Sequence, residues 1–319
     1  MNGLFLRLAQ KERSSRLWNV HPKRTAFLAA TLFALVFAAM ALAGETRRPI
    51  LAGTWYPENP ETLRAQINGL LAAVPETDPR GEVVALAAPH AGYVYSAEIA
   101  ACAYGLVAGR SYDLVVVISP SHRLAFAGAA LPGDGAFATP LGDVPLDRDA
   151  FIALMKADPD VRVLPGAHDR EHAVEIQLPF LQTALKGPFR LLPVVMGSQD
   201  FASCRKLAAA LASVVTGRNA LIVASSDLSH FHPKAKARAL DERFMDRVAA
   251  FDPQGLADTL ESGASEACGG GPVITAMLAA RLLGADTAKV LCSGDSSRAS
   301  GDENQVVGYM AAAFFKSGQ

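Results

Sequence analysis

The sequence has little net charge and few cysteines. Its 319 residues carry a formal net charge of -1, so the bulk charge gives no reason to expect a nucleic-acid partner. The four cysteines are too few and too widely spaced for a disulfide scaffold, although pairing among Cys102, Cys204 and Cys292 stays open. Half of the residues are hydrophobic (50%), which is enough for a large core in one large domain or two small ones.

Two well-known catalytic loops are also absent. The chain contains no Gly-x-Ser-x-Gly elbow, which disfavours a serine hydrolase of that kind. A glycine-rich turn at 269–271 is followed by no Walker-type lysine, which disfavours a phosphate-binding loop. No internal repeat or low-complexity linker divides the chain. The histidines and one cysteine are therefore the main candidates for chemistry.

The N-terminal 45 residues differ from the rest of the chain. Several basic residues precede an uncharged run from 25 to 44, which ends in Ala41-Leu42-Ala43 and so resembles a signal-peptide cleavage site. A run of this length could also span a bilayer as a helix. We expect residues 1–45 to form a signal peptide or a membrane anchor. Residues 46–319 are then expected to form an exported domain, either periplasmic or anchored on the extracytoplasmic side.

The remaining sequence alternates between two patterns. Short apolar runs rich in β-branched residues predict strands that are buried on both faces, and longer segments with helical periodicity separate them. The alternation predicts a three-layer α/β/α fold with a mainly parallel central sheet. The predicted strands are 83–88, 114–118, 190–195, 220–224, 289–292 and 305–315. The predicted helices are 61–74, 97–108, 149–156, 172–185, 204–216, 237–250 and 272–283. The stretch 125–147, rich in glycine and proline, predicts a loop or hairpin outside this sheet.

Polar residues follow several of the predicted strands. His90 follows the strand 83–88, His122 follows 114–118, and Asp227 with His230 follows 220–224. Ligands of open α/β sheets bind at the carboxyl ends of the strands, so these loops are expected to share one site. A single histidine in such a loop is more often structural, but three at corresponding strand ends favour a shared function.

Cys268 extends the set of candidate metal ligands. It precedes a predicted helix, and a helix N-terminus lowers the pKa of a thiol and favours the thiolate. Together with His90 and His122, it would supply two imidazoles and a thiolate, which suit zinc, iron or copper. A buried, unreactive thiol is the alternative, and a disulfide between Cys268 and Cys292 would make the site structural.

Four further residues are candidates for the pocket. His172 and Glu175 are three residues apart and would share one face of the predicted helix, as in half of a carboxylate metal site. A structural polar network at the helix start is an equally good reading of His172. Asp227 and His230 are candidate catalytic residues, since an acid–base pair could act on a substrate from one loop.

A set of motifs in a fixed order resembles the Memo family. The motifs are AGTWYP (52–57), PHAGYVYS (89–96), SPSH (119–122), TPLG (139–142), EHAVEIQLPFL (171–181), SSDLSH (225–230), EACGGGP (266–272) and GDSS (294–297). The resemblance extends from about residue 47 to the end of the chain. Tyr93, within the second motif, is a further pocket candidate.

The resemblance carries expectations about fold and chemistry. The Memo family is similar in fold to class III extradiol dioxygenases, which are non-haem iron enzymes that cleave catechols with O₂. On this basis His90, His122 and Cys268 match the metal site, and His230 matches the acid–base histidine with Asp227 beside it. Bacterial members are associated with the AmmeMemoRadiSam system, whose proteins are expected partners.

One departure from the dioxygenases affects the predicted reaction. Cys268 stands where those enzymes have a carboxylate ligand, and a softer ligand favours copper or zinc more than a carboxylate does. We expect iron(II), with copper or zinc as alternatives. The predicted function is a metal-dependent oxidoreductase of unknown substrate. The alternatives are a non-catalytic module that binds a metal or a peptide for partner proteins, and a zinc-dependent hydrolase.

Overall fold

A computed structural model describes residues 46–75, 81–133 and 135–318. The strands are β1 (Thr46–Arg47), β2 (Gly81–Ala88), β3 (Leu114–Pro120), β4 (Ala129–Leu131), β5 (Ala136–Thr139), β6 (Gly142–Pro145), β7 (Val161–Val163), β8 (Arg190–Met196), β9 (Ala220–Ser225), β10 (His230–His232), β11 (Thr287–Asp295) and β12 (Val306–Ser317). The helices are α1 (Pro60–Ala73), α2 (Tyr93–Gly105), α3 (Arg148–Ala157), α4 (Leu178–Ala184), α5 (Phe201–Val215), α6 (Lys234–Ala249), α7 (Pro253–Glu261), α8 (Gly270–Leu282) and α9 (Ser297–Ser300). Two short 3-10 helices are Pro165–Ala167 and Glu175–Gln177.

The central sheet has nine strands and is parallel in its middle. Its order is β10-β12-β2-β9-β3-β8-β4-β7, with β11 paired to β12 off this path. The strands β2, β9, β3 and β8 run parallel, and β12 and β4 are antiparallel to their inner neighbours. Every residue of β3 is buried, as its continuous apolar run predicted.

Helices pack in two groups that cover the sheet. The helices α1, α2 and α4 pack together, and α2 lies against β2 and β12. The helices α3, α5, α7 and α8 form the second group, in which α8 lies against β2, β9 and β3. Side chains of Asp147, Asp200 and Asp252 cap the starts of α3, α5 and α7 by accepting backbone N–H bonds. The predicted α/β fold with a mainly parallel central sheet is confirmed.

The segment 125–147 contains more structure than a single hairpin. Strands β5 and β6 form the expected antiparallel hairpin, and β1 adds to it as a third strand. Strand β4, however, belongs to the large sheet, where it lies between β8 and β7. The helix α7 and the strands β7 and β10 were not predicted.

The predicted helix 172–185 is wrong over its first half. Residue 172 has no regular structure, residues 173 and 174 form a turn, a 3-10 helix follows at Glu175–Gln177, and α4 begins only at Leu178. Pro179 lies in the first turn of α4, where its missing N–H and fixed φ suit a helix start better than a helix interior. His172 and Glu175 therefore do not share a helical face.

A buried ion pair attaches the N-terminal strand to the domain. The guanidinium of Arg47 donates to Glu175 Oε2 at 2.7 Å and to the carbonyl oxygens of His168 and Glu171. Glu175 is fully buried, and it also accepts from the hydroxyl of Tyr56 at 2.7 Å. Backbone N–H groups of residues 50 and 51 add further bonds to the same carboxylate. One side chain thus fixes much of the segment 47–56.

One disulfide joins helix α2 to strand β11 of the large sheet. Cys102 of α2 is bonded to Cys292 of β11, with their Cα atoms 6.2 Å apart. Cys204 and Cys268 are free thiols. The pairing of Cys268 with Cys292, which would have made the predicted site structural, does not occur.

The described residues contain no helix that is long and apolar enough to cross a bilayer. The segment 25–44, which carried the prediction of a signal peptide or anchor, lies outside the described residues, as does the predicted domain boundary at residue 45.

The change Glu175→Gln tests the buried ion pair. It keeps the shape of the side chain but leaves the Arg47 charge buried without a counter-charge, so we expect a loss of about 3 kcal/mol in the free energy of unfolding. Urea denaturation would measure it. The matched control is Glu82→Gln. In the wild-type chain the Glu82 carboxylate pairs with Lys316 at the exposed surface, and this pair should contribute less than about 1 kcal/mol to the free energy of unfolding. Equal losses of unfolding free energy in Glu175→Gln and Glu82→Gln would contradict a special contribution of the buried ion pair to stability.

Two phenylalanines have left-handed backbone conformations and offer a second test. Phe231 has φ of 59° and is 68% exposed, and Phe251 has φ of 53° and is buried against Phe314. Asparagine tolerates this conformation better than a bulky side chain does. We expect Phe231→Asn to raise the free energy of unfolding by about 1 kcal/mol because strain is relieved and little burial is lost. Phe251→Asn should instead lower it by about 3 kcal/mol through lost packing. If both variants changed the free energy of unfolding in the same direction, the predicted difference between the exposed and the buried phenylalanine would be wrong.

Candidate metal centre

The carboxyl ends of three parallel strands lie within about one residue of each other along the sheet and carry the candidate residues. Ala88, the last residue of β2, pairs with Ser225, the last residue of β9, and Ile118 of β3 pairs with Ala224. His90, Asp227 and His122 each follow their strand by two residues. The loops that the sequence placed at strand ends therefore meet at one edge of the sheet.

Three imidazole rings form the centre of this site. One ring nitrogen each of His90, His122 and His172 lies within 4.8 Å of the others, close enough for a shared metal ion. The ring centroids are 5.1 Å apart for His90 and His122, 5.3 Å for His90 and His172, and 4.4 Å for His122 and His172. His172, predicted only as a pocket candidate, joins the pair from the segment that precedes the 3-10 helix.

Outer contacts orient two of these rings. His90 Nδ1 is 3.0 Å from the hydroxyl of Ser225, and His122 Nδ1 is 2.9 Å from Glu171 Oε1. The other oxygen of Glu171 accepts from the backbone N–H of His122 at 2.7 Å. Ligand histidines in metal sites are held by such contacts at the nitrogen that does not bind the metal. The Nε2 atoms of His90 and His122 are the ones left for a ligand.

The electrostatics favour neutral imidazole rings at His90 and His172. Burial and the neighbouring histidines lower the pKa of His90 to about 3, and burial and the charges of His90 and His122 lower the pKa of His172 to about 3. Burial alone would raise the pKa of Glu171, but hydrogen bonds from His122 hold it at about 2. A neutral imidazole has a free lone pair, which is the form that binds a metal.

Cys268 lies beside the three rings but is a thiol. Its Sγ is 3.0 Å from His90 Nε2. Burial, followed by the charge of Asp227, raises the pKa of the Cys268 thiol well above its usual range. The expected lowering by a helix N-terminus is therefore wrong, because α8 begins two residues later and burial outweighs its effect. Cys268 is outside the group of three imidazoles, and its role as a ligand stays a prediction.

The glycines beside Cys268 allow a close approach of two loops. A Cβ atom at Gly269 would collide with the carbonyl oxygen of Ser225, so only glycine fits against the end of β9. The backbone N–H of Gly269 donates to the hydroxyl of Ser226 at 3.1 Å. This contact fixes the loop that carries Cys268 against the loop that carries Asp227.

The candidate acid–base residues have separate partners. Asp227 accepts from the backbone N–H of His90 at 2.7 Å, and burial raises its pKa to about 6. His230 Nδ1 is 2.7 Å from the carbonyl oxygen of Leu228, which can only accept, so Nδ1 carries a proton and Nε2 is the nitrogen left to face a ligand. Both residues line a cavity whose wall also contains His90, His122 and His172. Their catalytic roles stay predictions.

Two of the predicted pocket residues, Glu175 and Tyr93, do not line the cavity. Glu175 is fully buried among Arg47, Tyr56 and the backbone of residues 50 and 51, and it does not line the cavity. Tyr93 donates to the carbonyl oxygen of Ile176 at 3.0 Å and packs between Tyr56 and Phe180. Both residues support the fold behind the site instead of facing a ligand.

The three histidines lie at the wall of a cavity of about 770 Å³. Its mouth carries large apolar side chains that are exposed: Trp55, Val94, Tyr95 and Phe231. The ring of Trp55 lies 4.8 Å from that of His172. A concave cavity with a few polar groups inside and an apolar rim is typical of a binding site for a small molecule.

Sequence reasoning missed the residues that support the histidines. Glu171 directly precedes His172 in a motif that was noted, yet its carboxylate was assigned no role. Ser225 also lies in a noted motif, but no local pattern indicates that its hydroxyl faces the His90 ring. Trp55 and Phe231 could not be found from their residue type, because an apolar residue gives no sign in the sequence that it will be exposed.

Comparison with known proteins identifies the family. The family model for the Memo-like protein matches residues 47–313. A MEMO1 family protein of Methanopyrus kandleri is 34% identical over 282 residues, covering 84% of this chain and 98% of the relative. A MEMO1 family protein of Methanothermobacter thermautotrophicus is 34% identical over 272 residues, covering 82% and 98%. One from Methanosarcina mazei is 32% identical over 269 residues, covering 84% and 98%.

The predicted localisation requires correction. Export through a signal peptide or an N-terminal anchor rested on the residue pattern of 1–45 alone. No membrane-spanning helix occurs in the part of the chain that the structure describes, and the archaeal relatives are not described as exported. The prediction of an exported, periplasmic or membrane-anchored protein is therefore not retained.

Two observations support the family assignment. The matched region includes all of the motifs that suggested the resemblance, from residue 52 to residue 297. The relatives align over nearly their whole length, so the similarity is not confined to one motif. The chain belongs to the Memo family.

Proposed function

We propose that this Memo-family protein binds one transition-metal ion and uses it as an oxidoreductase acting on a small molecule. Iron(II) is the first candidate for this role and copper is the alternative, whereas zinc, which is redox-inert, would instead fit the zinc-dependent hydrolase. The observation that carries the proposal is the approach of three imidazole nitrogens to within 4.8 Å of one another beside a cavity of about 770 Å³.

The donor atoms fit such a metal. Imidazole nitrogens suit iron, copper and zinc, whereas magnesium and calcium prefer oxygen donors. His90, His122 and His172 would hold the ion, and Cys268 would be a further donor once its proton is lost, since metal binding releases protons from its ligands. The neutral state of His90 and His172 means that no proton has to be removed from either ring.

Other residues around the cavity have proposed roles toward a substrate. The metal would supply redox chemistry to a bound molecule. When the His230 ring is neutral, its Nε2 can accept a proton from that molecule, because the carbonyl of Leu228 keeps the ring proton on Nδ1. The apolar rim that includes Trp55 and Phe231 can bury part of the substrate and exclude water from it.

A non-catalytic binding module is the second candidate. It is favoured by the exposed apolar side chains at the cavity mouth, which are a common feature of sites that bind a peptide or another protein. Partners among the proteins of the AmmeMemoRadiSam system would fit either function and stay a prediction.

Metal reconstitution tests the proposed centre. We expect the full chain, loaded with iron(II) without oxygen and freed of excess metal, to retain one ion per chain. His90→Ala and His122→Ala should each weaken binding by at least about 100-fold, because ligands contribute more than the outer residues that orient them. His232→Ala is the control, since His232 pairs with Glu266 and does not line the cavity.

Two further variants identify the remaining donors in the same assay. Loss of affinity in His172→Ala supports the group of three imidazoles. Loss in Cys268→Ser, together with loss of thiolate-to-metal absorption in the cobalt(II) protein, supports the cysteine. Wild-type affinity in both His90→Ala and His122→Ala would refute the proposed centre.

The change His230→Ala separates catalysis from binding. The iron-loaded protein should consume O₂ with a catechol or thiol from a substrate screen, and the variant should turn over about 100-fold more slowly or worse while its metal content is unchanged. A redox-inert metal in the protein from its own cells, or unchanged turnover in the variant, would count against the oxidoreductase and favour the binding module.

A further inference from the structure

His90 is the most buried of the three clustered histidines, and a hydroxyl group lies behind its ring. Its side chain is 2% exposed, and Nδ1 is 3.0 Å from Ser225 Oγ. A hydroxyl and a neutral imidazole nitrogen can each donate or accept a hydrogen bond. This contact alone therefore leaves open which ring nitrogen of His90 carries the proton.

The orientation of the Gln177 amide is the first step in locating the proton of His90. Gln177 Nε2 is 3.0 Å from the carbonyl oxygen of Pro89, and Oε1 accepts from the hydroxyl of Tyr104 at 2.7 Å. A backbone carbonyl can only accept, so the reverse orientation would bring two acceptor oxygens together. The NH₂ group of Gln177 must therefore face Pro89 and also Ser225, whose Oγ lies 2.7 Å away.

The direction of the Ser225 O–H bond is the second step. Ser225 Oγ lies 2.7 Å from the carbonyl oxygen of Ala173, which again can only accept, so the single O–H proton of Ser225 is used there. Oγ accepts one bond from Gln177, and its remaining lone pair can only accept. Since Ser225 has no second proton to give, the contact with His90 requires a proton on Nδ1.

We propose that Ser225 and Gln177 fix His90 in the Nδ1–H tautomer, so that its Nε2 presents a lone pair to the metal centre. The opposite tautomer would leave a lone pair of Nδ1 facing a lone pair of Ser225, or leave the buried carbonyl of Ala173 without a donor. In the metal-free chain, the Nε2 lone pair accepts from the thiol of Cys268, whose Sγ is 3.0 Å away. Ser225 is thus a positioning residue, and its effect on metal binding rests on the proposed function.

The arrangement joins parts of the chain that are far apart in sequence. Ser225 ends β9, Gln177 ends a 3-10 helix and Tyr104 belongs to α2, while Ala173 lies in the turn beside His172. Two backbone carbonyls, those of Pro89 and Ala173, determine every donor and acceptor in the group. Because neither carbonyl can change its role, the position of the His90 proton follows from the fold itself.

The tautomer can be measured directly without any metal. The full chain labelled with ¹⁵N-histidine is examined by long-range ¹H–¹⁵N NMR, and the His90 signals are identified by their absence in His90→Gln. We expect Nδ1 to have the shift of a protonated nitrogen and Nε2 that of an unprotonated one. A proton on Nε2, or an even mixture of tautomers, would overturn the proposal whether or not the protein binds metal.

The variant Ser225→Ala tests the consequence for the metal. We expect the His90 signals to lose the single-tautomer pattern and the dissociation constant for cobalt(II) to rise about 10-fold to 100-fold, the usual effect of removing an outer partner of a ligand histidine. Ser119→Ala is the matched control, because Ser119 is fully buried near the end of β3 and its hydroxyl has no partner among the described residues.

The outcomes separate the two proposals. Wild-type tautomer and wild-type cobalt affinity in Ser225→Ala would overturn the positioning role, and the wild-type NMR result decides the tautomer even if this variant does not fold. A wild-type chain with the Nδ1–H tautomer but no cobalt affinity would refute the proposed metal function and leave the tautomer assignment intact.

Discussion

The site depends on the register of three parallel strands. Because β2 and β9 end level with each other and β3 ends one residue further on, the loops after them bring His90, Asp227 and His122 to one edge of the sheet. The side chain of Ser225, the last residue of β9, faces the His90 ring in this register. A slip of one residue in β9 would turn that side chain to the other face of the sheet and remove the contact. The strand that aligns the loops thus also supplies the group behind the buried histidine.

A second constraint connects the N-terminal segment to the same site. Arg47 donates to the carbonyl of Glu171, whose carboxylate orients His122, and it pairs with Glu175 four residues later. The short stretch 168–177 therefore serves both the buried ion pair and the metal centre. Its position is fixed from one side by the N-terminal segment and from the other by the sheet. Stability and site geometry are consequently linked through one turn of the chain.

The sequence was sufficient to predict the fold and the part of the site that lies at strand ends. Continuous apolar runs give buried strands, and parallel strands place their following loops together, so His90, His122 and His230 could be found from local patterns. The position of His172 could not, because its helical spacing was overruled by a helix that starts near Pro179. The state of the Cys268 thiol was also mispredicted, since burial depends on residues far from it in the chain.

The supporting contacts could not be predicted for a similar reason. Ser225 and His90 are separated by 135 residues, and His122 and Glu171 by 49. Hydrogen bonds of this kind depend on the final packing, which no local pattern of the sequence specifies. The exposed apolar rim of the cavity could not be predicted either, because hydrophobic residues are ordinarily predicted to be buried. It is formed by Trp55, Val94, Tyr95 and Phe231.

In the proposed centre, Nε2 of His90 and Nε2 of His122 bind one metal ion. A crystal structure of the full chain loaded with iron(II) without oxygen, with anomalous scattering measured at the iron edge, would show where the ion binds. We expect one ion, within coordination distance of Nε2 of both His90 and His122, with Nδ1 of His90 still bonded to Ser225 and Nδ1 of His122 still bonded to Glu171. An ion bound elsewhere, or bound through Nδ1 of His90, would contradict the proposed centre.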